Sequence, residues 1–152
     1  MENEKTIDVL NSLIVINNDR IEGYETASEE TEDADLIGLF ANFISNSEKC
    51  KQELVMEVTN LGGEPAEGTL TSGKIFRAWM DVKAVFTSKD REAILNSCEY
   101  GEDEAQETYD EVLESDSEHL SSAQQSMIYD QQSILKADHD QVKALRDAMA
   151  DA

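Results

Sequence analysis

The residues best placed to do chemistry lie in the stretch Cys98-Glu99-Tyr100-Gly101-Glu102-Asp103-Glu104-Ala105-Gln106-Glu107-Thr108-Tyr109. The helical period carried through it puts Ile94, Cys98, Glu102 (or Gly101), Ala105, Tyr109 and Val112 on one face, so a carboxylate stands where a Leu would be expected. An acid on an apolar face has to find a cation, hydrogen-bond donors or a proton, because its ionised form loses hydration there. These outcomes correspond to metal chemistry, a structural polar layer, and an acid held neutral. Asn17 and Asn46 also interrupt apolar stripes, and Gln132 stands at a comparable place on the last helix, so Asn17, Asn46, Glu102 and Gln132 make a candidate polar layer across the core. Amides donate hydrogen bonds to a buried carboxylate and are poor ligands for iron, which favours a layer that fixes helix register over a metal centre. Tyr24 and Tyr109, two turns beyond the layer, read as hydroxyls bonded across the core.

Four long helices are needed to position these residues. The first carries Ile7, Leu10, Ile14, Ile21 and Tyr24, with Leu13, Val15 and Ile16 broadening the stripe, and Thr6 or Asn3 can cap it. After the acidic run 28–35, Thr31 or Asp33 can cap a second helix through Leu36, Phe40, Phe43, Cys50, Leu54 and Val58. Gly62-Gly63 ends that helix and Glu64-Pro65 prevents its resumption. A crossover over about 62–88 contains a short amphipathic helix with Ile75, Phe76, Trp79, Met80 and Phe86. Thr87 or Ser88 then caps a third long helix to about Glu114, and a tight Ser115-Asp116-Ser117 connection leads to a fourth with Leu120, Ile128, Leu135 and Val142. Short, long and short connections describe two helical hairpins joined by a crossover. Setting Tyr24 over Tyr109 also sets Asn17 over Glu102, which hints at an internal duplication.

The 152 residues are expected to form one domain, 1–152. With 34 acids against 12 Lys and Arg the net charge is −22, which disfavours nucleic acid and anionic membranes as partners. The one net-basic stretch, Lys74 to Arg91, could dock on an acidic surface. No run is long and apolar enough to span a bilayer, and Met1-Glu2-Asn3-Glu4-Lys5 lacks the plan of a secretory signal, so a cytoplasmic location is expected. Cys50 and Cys98 fall inside apolar helical patterns and read as buried free thiols. The chain has no phosphate-binding Gly loop, nucleophile elbow, zinc-type Cys/His cluster or alternating-Asp calcium loop.

The runs Ile16-Asn17-Asn18-Asp19-Arg20-Ile21-Glu22-Gly23-Tyr24, Leu61-Gly62-Gly63-Glu64-Pro65, Arg77-Ala78-Trp79-Met80-Asp81, Cys98-Glu99-Tyr100-Gly101-Glu102-Asp103 and Ala144-Leu145-Arg146-Asp147 resemble an uncharacterised bacterial family of ferritin-like proteins, distantly similar to rubrerythrins. The resemblance spans about Thr6 to Asp147 and implies an all-α, ferritin-like four-helix bundle without implying an activity. The di-iron or di-manganese plan of such bundles takes one Glu from each of two helices and a Glu-x-x-His from each of the other two. Carried onto this chain, Glu102 matches the third-helix Glu and Asn17 stands at the first. Asn46 and Lys49 stand on the second, and Gln132 and Leu135 on the fourth. No Glu-x-x-His occurs. The expectation is a non-catalytic bundle with a degenerate metal site and no cofactor. It acts through association, as a homo-oligomer or with an unidentified protein, in a stress-related role suggested by the fold's relatives. The alternative is an iron- or manganese-dependent oxidase or peroxidase-like protein with unusual ligands from Glu102, Glu22, Glu53, Glu99 and His139.

Overall fold

The computed structural model describes residues 2–68 and 91–150. Four long helices account for nearly all of them: α1 (Glu2–Glu30), α2 (Ala34–Asn60), α3 (Arg91–Ser115) and α4 (Ser122–Ala150), with a 3-10 turn at Ser117–His119. The expected amphipathic helix around Trp79, its neighbours from Lys74 onward, and the Thr87 or Ser88 cap lie outside the described residues. Among the described residues no helix is long and apolar enough to cross a membrane.

Helix ends follow local chemistry. α1 reaches Glu30, and Asp33 stands at the N-cap of α2, where its backbone N–H donates to Thr31 Oγ1 at 3.2 Å. The Asp33 side chain makes no capping bond; it pairs with Arg91 at 3.0 Å, and Arg91 also reaches Asp35 at 2.8 Å. The start of α3 is thereby tied to the start of α2. At the other end of α2, Gly62 adopts φ +84° while its N–H bonds Thr59 O and that of Gly63 bonds Val58 O, each at 3.0 Å, as the Gly-Gly pair predicts. Ser121 and Gln124 cap α4 reciprocally: Ser121 Oγ accepts from Gln124 N at 3.1 Å, and Gln124 Oε1 accepts from Ser121 N at 2.8 Å.

Pairings across the helices give their directions. On α1 and α3, Thr6 bonds the carbonyl of His119 just beyond α3, Asn17 meets Tyr109 and Arg20 meets Glu102, so these helices run antiparallel. On α2 and α4, Asn46 meets Asp138, Glu53 meets Gln131 and Glu57 meets Gln124, again antiparallel. Arg20 also bonds Ser47, and Asp103 bonds His139, within the α1–α2 and α3–α4 hairpins. It follows that α2 and α3 point the same way. The chain leaves α2 along α1: Asn11 donates to Glu64 O at 3.1 Å and accepts from Ala66 N at 2.8 Å, and Asn18 donates to Gly68 O at 2.8 Å.

The core is made where four apolar stripes meet. Leu10, Leu13 and Ile14 of α1, Phe40, Phe43, Leu54 and Val58 of α2, Ile94 and Leu95 of α3, and Ile128, Leu135 and Val142 of α4 are buried in one cluster. Burial of an aliphatic side chain of this size contributes about 1.5–3 kcal/mol each. Tyr24, Phe40 and Phe43 form a tilted aromatic cluster with centroids 5.0–6.4 Å apart. Cys50 and Cys98 are free and buried; burial pushes the Cys50 thiol up to about 12 and that of Cys98 well above its usual value. Both therefore behave as small apolar groups.

Candidate functional site

Glu102 is 1% exposed, and the group that meets it is a guanidinium. Arg20, with no exposed surface, donates from Nε to Glu102 Oε1 at 2.6 Å, from Nη1 to Ser47 Oγ, and from Nη2 to Asp138 Oδ2 at 3.2 Å. Each helix thus supplies one member: Arg20 from α1, Ser47 from α2, Glu102 from α3 and Asp138 from α4. Asn46 supports Asp138 from α2, with Nδ2 3.0 Å from Oδ1 and 3.2 Å from Oδ2. Tyr24 packs its ring 5.5 Å from the guanidinium carbon.

The electrostatics follow from dryness and pairing. Burial alone would lower the Arg20 pKa, but Glu102, Tyr24 and Asp138 raise it further, so the cation is permanent. Burial, together with the nearby charge of Glu102, pushes the Tyr24 phenol well above its usual value. Two carboxyl groups share this one guanidinium. Burial raises Asp138 above the ordinary carboxyl range, with Glu102 adding to the rise and Arg20 and Asn46 opposing it. Asp138 therefore binds its proton more tightly when folded, and its contribution to stability decreases as pH rises through that raised value.

A second polar layer lies toward the opposite end. Asn17 Nδ2 donates to Tyr109 Oη at 2.9 Å, Tyr109 donates to Gln131 Oε1 at 2.9 Å, and Gln131 Nε2 reaches Cys50 O at 3.3 Å and Glu53 Oε1 at 3.2 Å. This layer also draws on all four helices. The displacement along the chain that carries Tyr24 to Tyr109 carries Asn17 to Glu102, Asn46 to Gln131 and Glu53 to Asp138. Asn17–Tyr109 is accordingly matched by Glu102–Tyr24, and Asn46–Asp138 by Gln131–Glu53. Arg20 breaks the correspondence, because its counterpart is Ala105.

The predicted layer is only partly assembled. Asn17 and Glu102 are buried, Asn46 is half-buried, and Gln132 lies half-buried at the rim, bonded to Asp110. The inward residue of α4 is Gln131, one position earlier. Of the candidate metal ligands, Glu22 and Glu53 are exposed, Glu53 bonds Gln131 in the second layer, and Glu102 itself is held by Arg20. Glu99 and His139 come together instead with Asp103, at the α3–α4 edge. There His139 Nε2 lies 2.5 Å from Asp103 Oδ1 and Nδ1 lies 3.2 Å from Asp140 Oδ1. Burial works against the imidazolium, but the bonds to Asp140 and Asp103 and the nearby charge of Glu102 hold the His139 pKa above its usual value.

Arg20, Asp138 and Gln131 are the residues that sequence reasoning missed. The signal was in the spacing: Ile128, Leu135 and Val142 recur every seven residues, and Gln131 and Asp138 fill the intermediate positions of that seam. On α1, Asn17 and Tyr24 leave both Arg20 and Ile21 in register, and Arg20 is the one turned inward.

Two outcomes are expected. Arg20→Met should cost about 3–5 kcal/mol in denaturant unfolding, since it strands buried Glu102 and Asp138, and adding Glu102→Leu with Asp138→Leu should recover much of the loss. A loss below about 1 kcal/mol, the scale of an exposed pair, would contradict the geometry. The stabilisation by His139 is fully present below about pH 6.5 and lost as pH rises through its raised folded value. An NMR titration should therefore place its midpoint above 6.5, the ordinary value, and lower in Asp103→Asn; an unchanged midpoint in the variant would mean that Asp103 does not hold the ring.

No curated protein matches the chain. A family match does exist, and it takes in α1 from Lys5, all of α2 and all of α3, with Arg20, Ser47, Glu102 and Tyr109, and ends where α4 has yet to begin. The match covers residues 5–115, and the chain belongs to the family described as Domain of unknown function (DUF2383).

Proposed function

We propose that this protein is a non-catalytic ferritin-like bundle in which an internal guanidinium takes the place of metal ions, and that it acts by associating with itself. The observation that carries this reading is Arg20, wholly buried and bonded to a residue from every other helix. Two antiparallel hairpins whose inner members α2 and α3 run parallel support the ferritin-like plan. In that plan α1 and α3 would each give a Glu and α2 and α4 a Glu-x-x-His. The residues in those places are Asn17, Glu102, Asn46 and Gln131. One carboxylate remains, and Arg20 already neutralises it at 2.6 Å. A di-metal centre does not fit here: amides ligate iron or manganese poorly, and a cation would have to expel a guanidinium from a dry core. Surface residues Met56, Tyr100 and Tyr129, all more than half exposed, are of the types enriched at protein interfaces and support association.

The alternative, an iron- or manganese-dependent oxidase or peroxidase-like protein, draws on the cluster of Glu99, Asp103 and His139. Two measurements on one preparation separate the readings. Anaerobic Fe²⁺ loading followed by oxygen should produce no oxo-bridged di-iron absorption, and sedimentation velocity should show concentration-dependent self-association. A di-iron band that disappears in Glu99→Gln or His139→Gln would overturn the non-catalytic reading, and a strictly monomeric chain would overturn self-association.

A further inference from the structure

The edge between α3 and α4 carries a second cluster that the arginine core does not use. Glu99 and Asp103 stand one turn apart on α3 and His139 faces them from α4, and a ligand atom from each lies within 4.8 Å of the others. Ligand atoms bound to a common ion at about 2.0–2.2 Å stand about 3–3.6 Å apart, a separation that side-chain rotations can bring all three to. The three are unequally exposed. Glu99 is about nine-tenths buried, whereas the Asp103 side chain is 59% exposed, which leaves a solvent-facing side for entry and for water ligands.

Glu99 also points to an unmet demand. Arg146 Nη1 approaches its Oε2 to 2.7 Å, yet this buried oxygen accepts no hydrogen bond of good geometry, so the ion pair is close but misaligned. Arg146 itself is split between Glu99 and Asp147, the latter at 2.8 Å. A misaligned, shared guanidinium is a weaker partner for a buried carboxylate than a directly coordinated cation.

We propose that Glu99, Asp103 and His139 form a binding site for a divalent first-row transition metal, with Arg146 as the competing cation that the metal displaces from Glu99. Two carboxylates and one imidazole suit Zn²⁺ or Mn²⁺ and give Mg²⁺ and Ca²⁺, which prefer all-oxygen shells, less advantage. Three protein ligands leave coordination positions open to water. The site shares no residue with the Arg20 cluster, so its failure would leave the reading of the core as it stands.

The test uses the full chain, stripped with chelator and titrated with Zn²⁺ at about 0.15 M salt, where the general acidity of the surface is screened. Calorimetry should give one saturable equivalent, with a rise in melting temperature that Mg²⁺ does not reproduce. Glu99→Gln, Asp103→Asn and His139→Gln should each weaken binding about tenfold or more, a loss on the scale seen when metal sites are damaged. Glu22→Gln and Glu53→Gln should leave it unchanged. Arg146→Gln should tighten binding several-fold, a gain that an unfolded variant cannot mimic. Absence of saturable binding into the millimolar range would overturn the proposal, as would an equal response to Mg²⁺, affinity unaffected by His139→Gln, or weaker binding in Arg146→Gln.

Discussion

A guanidinium that cannot shed its proton sits in the middle of this bundle, and everything around it has to accommodate that charge. A neutral side chain could be packed in many registers; Arg20 can be satisfied only where Glu102, Ser47 and Asp138 arrive together. A one-residue slip of any helix would bury an unpaired charge, at several kcal/mol. Stability itself comes from the apolar layers on either side, because a buried ion pair recovers its desolvation cost only in part. What the cluster supplies is uniqueness: one arrangement of four helices out of several that the stripes alone would allow.

The second layer, from Asn17 through Tyr109 and Gln131 to Glu53, uses the same components without a net cation. Its pairings repeat those of the first layer with the two halves of the chain exchanged. An amide faces a carboxylate on α2 and α4 in both, and a tyrosine hydroxyl meets a polar side chain between α1 and α3 in both. A duplicated hairpin explains this economically. Arg20 then stands out, because its counterpart is Ala105, and so does Glu102, the acid that answers to Asn17 and pairs with Arg20.

Much of this was legible in the residues alone. Four helices, the Gly62-Gly63 stop, the buried thiols and the oddity of Glu102 follow from period, capping and hydropathy, which are local. The Tyr24 to Tyr109 alignment already held the rule linking Asn46 to Gln131 and Glu53 to Asp138, and the seven-residue seam of α4 marked both Gln131 and Asp138. Arg20 was harder to see because its warrant is not local. A charged residue is placed in solvent by default, and the carboxylate that reverses this lies 82 residues away. The same holds at the α3–α4 edge, where Glu99 and His139 are recognisable one by one but Asp103 joins them only through helix packing.

The Arg20 guanidinium pairs with Glu102 at 2.6 Å inside the buried core. Nitrogen-detected NMR of the arginine side chains tests this pairing most directly. One Nε–H, assigned to Arg20, should be shifted by its bond to a carboxylate, lose that shift in Glu102→Gln, and be protected from hydrogen exchange to the level of global unfolding. An Arg20 Nε–H that exchanges as fast as those of surface arginines, or that does not respond to Glu102→Gln, would contradict it.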